Sequence, residues 1–186
     1  MKFQLHNPTT APAASQPILE NIAAAYGFTP NLYAVFAESP VALSTYVAIL
    51  DALKQHAALS PAEQQVVMLA VSAKNRCDYC VAAHTMVGGR SGVAPETIAA
   101  IRDGKAPSDR RDAALVSFAH AVMSHAGWVP ESAQQAFLEA GFTGRHILDI
   151  LTILAMKTLS NYTNHIAQTP LDSAFAPHRW TPTTAA

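Results

Sequence analysis

The sequence predicts an all-α protein, a multi-helical bundle, on three observations. Apolar residues recur at helical spacing through most of the chain. Proline and glycine punctuate these stretches where helices should begin and end. The run Ser60-Pro61-Ala62-Glu63 combines a capping serine, proline at the first helical position and glutamate three residues after the cap, a strong helix start.

Residues 1–14 read as an irregular lead containing proline and threonine. Helices are expected over 15–26, with Ser15 as its cap and Gly27 closing it, over 31–38, ending before Pro40, and over 41–57. The helix capped by Ser60 should run to about Asn75. Its segment Val66-Val67-Met68-Leu69-Ala70-Val71 would also suit a buried strand, since short apolar runs do not separate the two. The capping box decides for helix, and no other segment offers strands to complete a sheet. Further helices are expected over 77–88, 95–102 (closed by Gly104), 108–125 (stopping at Gly127), 130–140 (stopping at Gly141) and 143–168. Residues 15–175 are therefore read as one helical domain, and 176–186 as an irregular tail.

Half of the 186 residues are hydrophobic and 13% are charged, about half the usual charged fraction of roughly 25%. A domain so poor in charge is expected to hide surface in a homo-oligomer. The apolar positions Ile147, Leu148, Ile150, Leu151, Ile153, Leu154 and Met156 circle almost the whole of their helix, as in a central or interfacial helix. With 12 basic and 13 acidic residues, no basic stripe suggests nucleic acid and no polybasic cluster an anionic membrane. The start of the chain has no signal-peptide pattern, and the apolar stretch 147–159 is too short to span a bilayer. These features point to the cytoplasm. In a reducing compartment a close cysteine pair is catalytic or metal-binding rather than a structural staple.

That pair is Cys77-Asp78-Tyr79-Cys80, with His84 four residues on. On a helix advancing about 100° per residue, Cys77, Cys80 and His84 share a stripe roughly 60° wide. A thiolate is the reactive form of cysteine. A helix N-terminus stabilises that anion, which favours Cys77. A histidine one turn away can take or share a thiol proton, which favours Cys80. Zinc could use the same three side chains, but a structural zinc site needs a fourth ligand. With no second cysteine pair, His120, His125, His146 or His165 would have to supply it. Two inert buried thiols are the remaining alternative.

Leu59-Ser60-Pro61-Ala62-Glu63, then Leu69-Ala70-Val71-Ser72, then Asn75-Arg76-Cys77-Asp78-Tyr79-Cys80-Val81-Ala82-Ala83-His84 resembles the alkylhydroperoxidase D / carboxymuconolactone decarboxylase family. Asn161-Tyr162-Thr163-Asn164-His165 resembles it more loosely. The resemblance implies the all-helical fold of the alkylhydroperoxidase D type, assembly into trimers or hexamers, and no metal or organic cofactor. It implies a thiol peroxidase reducing alkyl hydroperoxides, with a protein or small-thiol reductant. In that reading Cys80 is the peroxidatic cysteine, Cys77 its resolving partner and His84 the proton relay. Two positions depart from the pattern. The family's relay glutamate usually lies twelve residues before the first cysteine, where this chain has Gln65, and Tyr79 stands where some members carry a second histidine. Glutamine can hydrogen-bond but cannot accept a proton at neutral pH.

Asn161, Asn164 and His165 form a polar group that could wall the active pocket; helix-end capping or an oligomer contact is the preferred reading. His120 and His125 share no helical face and read as ordinary. The alternatives to a peroxidase are a non-catalytic oligomeric redox sensor or stress-associated protein and, less well supported, a decarboxylase of a lactone acid. The last lacks an evident cationic anchor in the sequence.

Overall fold

The computed structural model describes residues 3–182, all of whose regular elements are helical. They are α1 (Gln16–Tyr26), α2 (Asn31–Phe36), α3 (Pro40–His56), α4 (Pro61–Lys74), α5 (Asp78–Arg90), α6 (Pro95–Arg102), α7 (Arg110–Ser124), α8 (Glu131–Glu139), α9 (Gly144–Ala167) and a 3₁₀ helix (Ser173–His178). The expected helices are all present, and their ends move by one or two residues. Residues 1–2 of the lead and 183–186 of the tail lie outside the described residues.

Helix α4 is the hub. It packs against α5, α6, α7 and α9, and Val66 through Ser72 are buried without a break. The continuous apolar run that could pass for a strand is thus a helix covered on every side. Its capping box forms as read: Ser60 Oγ accepts from the Glu63 N–H at 3.3 Å, and Glu63 Oε2 accepts from the Ser60 N–H at 2.8 Å. Glu63 also receives the Arg111 guanidinium at 2.7 Å. The same guanidinium lies 4.1 Å from the centre of the Phe142 ring, which stacks on Phe137.

Ser15 does not cap α1. Its hydroxyl is buried and makes no hydrogen bond. Asp109 caps α7 instead of a start at Ser108, accepting from the Asp112 N–H at 2.9 Å. The lead is held in place: the His6 N–H donates to the Ala34 carbonyl at 3.1 Å, and its buried ring pairs with Glu38 at 2.7 Å.

The tail continues as ordered structure past Phe175, because the 3₁₀ helix packs on α5. Phe175 lies edge-on to Tyr79, and the Arg102 guanidinium donates to the carbonyls of His178 and Arg179. The Tyr79 hydroxyl donates to Asp172 and accepts from the Leu32 N–H. These contacts tie the tail to the cysteine-bearing helix.

The start of α4 is locked to α9 by Asp149, whose Oδ2 accepts from the N–H groups of Ala58 (2.6 Å) and Leu59 (3.1 Å). Asp149→Ala leaves both donors without their partner. It is expected to cost about 1–3 kcal/mol, toward the lower end because the site is half-exposed. A thermal unfolding midpoint equal to that of the wild type would contradict this.

Candidate active site

The site begins at the turn between α4 and α5. Asn75 closes α4, and Arg76 takes a left-handed conformation at φ 58°. The Cys77 N–H then reaches back to the Ser72 carbonyl at 2.9 Å, closing the helix as a Schellman-type turn. With Gly absent from this position, Arg76 holds strain of order 1 kcal/mol. The outcome is that Cys77 becomes the N-cap of α5 and Cys80 sits in its first turn.

Both cysteines are free and buried. Their sulfurs share one donor, Asn164 of α9, whose Nδ2 lies 3.2 Å from Cys80 Sγ and 3.8 Å from Cys77 Sγ. Asn161 lies a turn earlier and accepts from Asn75 Nδ2 at 2.9 Å, holding the end of α4 to α9. Of the polar group expected on α9, then, Asn164 is a wall of the site, Asn161 is a brace behind it, and His165 points out to solvent.

His84 is fixed at both nitrogens. Its Nε2 is 2.8 Å from Lys157 Nζ and its Nδ1 is 2.8 Å from Gln65 Oε1. A lysine only donates, so Nε2 must be the bare nitrogen and Nδ1 must carry the proton. Gln65 Oε1 accepts that proton's hydrogen bond, and its Nε2 turns to the Met68 sulfur at 3.6 Å. Burial and the Lys157 charge hold the imidazole well below its ordinary pKa, so it is neutral. Among the described residues no hydrogen bond joins His84 to either sulfur. Lys157, bonded to His84 Nε2, is buried in the chamber that Cys80 also lines.

Burial by itself would raise the Cys80 thiol. The hydrogen bond from Cys77, the charge on Lys157 and donation from Asn164 and Lys157 outweigh it and bring Cys80 below the usual thiol value. Cys77 moves the other way: its hydrogen bond to Cys80, burial and the charge on Cys80 all raise it. The four residues expected at the site, Gln65, Cys77, Cys80 and His84, therefore gather in one network. The Asn164 amide lies closer to Cys80 than to Cys77, and together with the Lys157 charge it acts to lower the Cys80 thiol. Lys157 was not assigned a role from the sequence, and for Asn164 the pocket wall was the reading not preferred. Their signal was present: Lys157, Ser160, Asn161 and Asn164 recur at helical spacing within an apolar helix, and all four are buried.

Cys80, His84 and Lys157 open onto a cavity of about 70 Å³ walled by Tyr26, Tyr33, Tyr46, Tyr79 and Phe175. Tyr26 and Tyr33 also border a larger groove of about 610 Å³ between α1, α3 and α4, where Gln65 is exposed at the wall. Among the described residues no group of three His, Cys, Asp or Glu side chains could hold a metal ion. In the zinc set considered above, the His84 nitrogen facing the site is taken by an ammonium. No helix among the described residues is long and apolar enough to cross a membrane.

Fold and site together define an all-helical, alkylhydroperoxidase D-like domain built around a buried Cys-x-x-Cys pair. Residues 40–122, which contain α3 to most of α7, match the profile of the carboxymuconolactone decarboxylase family. No curated protein matches the chain in sequence. Among solved structures, the chain is similar to an alkylhydroperoxidase AhpD core, an uncharacterized peroxidase-related protein from Ralstonia eutropha JMP134. That likeness has a TM-score of 0.83 at 26% identity and covers 94% of this chain and 93% of the other. A peroxidase-related protein from Silicibacter sp. TM1040 follows at TM-score 0.79 and 21% identity, covering 94% and 92%. The debrominase Bmp8, in a complex with 2,3,4-tribromopyrrole, shares the fold at TM-score 0.77 and 13% identity, covering 96% and 95%. The resemblance read from the sequence is borne out, and at family level the fold is that of peroxidase-related proteins.

Asn164→Leu removes the amide that donates to Cys80. Since that donation lowers the thiol's pKa, its loss must raise it. The pH midpoint of Cys80 alkylation by iodoacetamide should move upward, and the rate at pH 7 should fall. An unmoved midpoint would mean that the amide does not act on the thiolate.

Proposed function

We propose that the protein is a dithiol peroxidase that reduces organic hydroperoxides through Cys80 and Cys77. The observation that carries this reading is the Cys80 sulfur held by the Asn164 amide, in a chamber it shares with the buried Lys157 and with a second thiol beside it. The Cys80 thiolate attacks the terminal oxygen of the hydroperoxide. The O–O bond breaks, an alcohol leaves, and Cys80 becomes a sulfenic acid. The Cys77 thiol then attacks the Cys80 sulfur, water leaves and a disulfide forms. A dithiol protein or a small thiol reduces it for the next turnover, which suits a reducing compartment such as the cytoplasm. His84 and Gln65 act as positioning residues: Gln65 fixes the tautomer, and the tautomer presents a lone pair to Lys157. The chamber has room for a hydroperoxide head, and the groove past Tyr26 and Tyr33 for the organic part.

A redox sensor with the same pair would form the disulfide without sustained turnover. Decarboxylation of a lactone acid is a second reading that gains one support here, because Lys157 is the cation that the sequence did not make evident. It leaves the paired thiols without a task, so the peroxidase reading is preferred.

We also propose a homo-oligomer that buries the outer face of α9. Leu148, Leu151, Tyr162 and Ile166 are 64%, 42%, 54% and 70% exposed along that face. No Asp, Glu, Lys or Arg is exposed on α9 from Leu148 to its end, since Asp149 is half-buried and Lys157 buried. The trimer or hexamer implied by the family resemblance would cover this neutral strip.

Mass spectrometry after one equivalent of an organic hydroperoxide should show a loss of two hydrogens confined to the peptide holding Cys77 and Cys80. Cys80→Ser should be inert, and Cys77→Ser should consume one equivalent and stop as a sulfenic acid. The reverse pattern would exchange the roles of the two thiols. Light scattering should give a mass above the 19.8 kDa of one chain, and Leu148→Lys with Ile166→Glu should lower it. A wild-type monomer at micromolar concentration would exclude the assembly.

A further inference from the structure

Lys157 is fully buried and makes no salt bridge with a carboxylate among the described residues. The titratable groups around its chamber are Cys80, Tyr79 and His84 from α5, Tyr46 from α3, Tyr33 from α2 and Tyr26 from α1. None is an acid that is ionised as a matter of course at neutral pH. An ammonium buried without an anion costs several kcal/mol. The acidic group of that chamber with a donor already set on it is the Cys80 thiol, which accepts from the Asn164 amide at 3.2 Å.

We propose that Lys157 is a catalytic residue of the peroxidase reaction: it takes the Cys80 proton and delivers it to the oxygen that leaves the substrate. This deepens the peroxidase reading above and rests on it. In the resting state Cys80 is a thiolate and Lys157 an ammonium. When the sulfur attacks the terminal oxygen, the O–O pair of electrons goes to the inner oxygen. Lys157 protonates that oxygen, so an alcohol departs rather than an alkoxide, and Lys157 is left as a neutral amine. Reduction of the later disulfide returns a proton to Cys80, which passes to the amine and restores the starting state. The cycle balances: hydroperoxide and two thiol hydrogens become alcohol, water and a disulfide.

The geometry provides for each part. Lys157 is buried and lines, with Cys80, the chamber where the peroxide must sit. His84 Nε2 accepts one of its hydrogens at 2.8 Å, which aims the remaining ones. Gln65, being neutral, keeps His84 from becoming a cation that would expel the ammonium. In this arrangement an uncharged residue at position 65 is a requirement and not a deficiency.

The test compares two oxidants with different leaving groups in single-turnover stopped flow of the reduced protein. tert-Butyl hydroperoxide must release an alcohol and needs a proton, whereas peracetic acid can release acetate without one. Both draw on the same thiolate, so the ratio of their rates cancels any change in the amount of thiolate. In Lys157→Met the alkyl hydroperoxide should slow by about 10²–10⁴-fold relative to peracetic acid, the range typical of general-acid assistance. In Lys157→Arg the charge persists but does not release its proton. The iodoacetamide pH midpoint should stay near that of the wild type while the rate ratio falls as in Lys157→Met. Lys157→Arg also serves if Lys157→Met fails to fold. An unchanged ratio in the folded variant would overturn the proposal and reduce Lys157 to an electrostatic or structural part, with the peroxidase reading intact. A wild-type protein inert to both oxidants would overturn the peroxidase reading itself.

Discussion

The buried side chain of Lys157, bonded to the bare nitrogen of His84 in the chamber that Cys80 lines, is the interaction on which the rest of the site depends. A cation removed from water needs a counter-charge or a set of acceptors; the neutral imidazole is one acceptor, and in the proposed mechanism the Cys80 thiolate supplies the counter-charge. Each partner is constrained in turn. The imidazole must keep Nε2 unprotonated, so Nδ1 must carry the hydrogen and find an acceptor, and Gln65 Oε1 is that acceptor. The second thiol must stay protonated beside the first, and burial together with the neighbouring charge ensures it.

This network joins three helices, and the fold is arranged to hold them. Helix α4 contributes Gln65, α5 contributes both cysteines and His84, and α9 contributes Lys157 and Asn164. The left-handed turn at Arg76 reverses the chain sharply enough for α4 and α5 to lie side by side. Asn75 and Asn161 tie that turn to α9. Asp149 ties the other end of α4 to the same helix. From the opposite side, the tail braces α5 through Asp172, Tyr79 and Phe175. A site whose chemistry rests on contacts near 3 Å needs such support on every side, because a displacement of 1 Å would break the hydrogen bonds that hold His84 and Cys80.

Helix α9 has two different faces. Lys157, Ser160, Asn161 and Asn164 lie inward with Ile150, Ile153 and Met156, while Leu148, Leu151, Tyr162 and Ile166 lie outward. In the sequence these sets are interleaved, and the helix reads as apolar all round with a few polar interruptions. The packing separates them: inward, Asn164 meets the thiols, Lys157 meets His84 and Asn161 braces the end of α4, while the outward apolar residues form a neutral strip.

Much of this was legible in the sequence because it is local. Capping at Ser60, the helical breaks at glycine and proline, and the shared face of Cys80 and His84 depend on backbone geometry within a few residues. The Cys-x-x-Cys motif with its histidine likewise pointed to thiol chemistry, whereas Gln65 was singled out only through the family resemblance, as the residue at the position of the relay glutamate. The sequence by itself thus determined the helices, their order and the chemical type of the site. Tertiary structure decided which partners Cys80 and His84 have. These include Lys157 and Asn164, more than seventy residues along the chain. Helical periodicity sets the angle between residues on one helix and carries no information about which face of a distant helix meets it. Only the packing of α9 against α4 and α5 brings the Asn164 amide to the sulfur and Lys157 into its chamber, and only in that buried setting does a single charge weigh heavily.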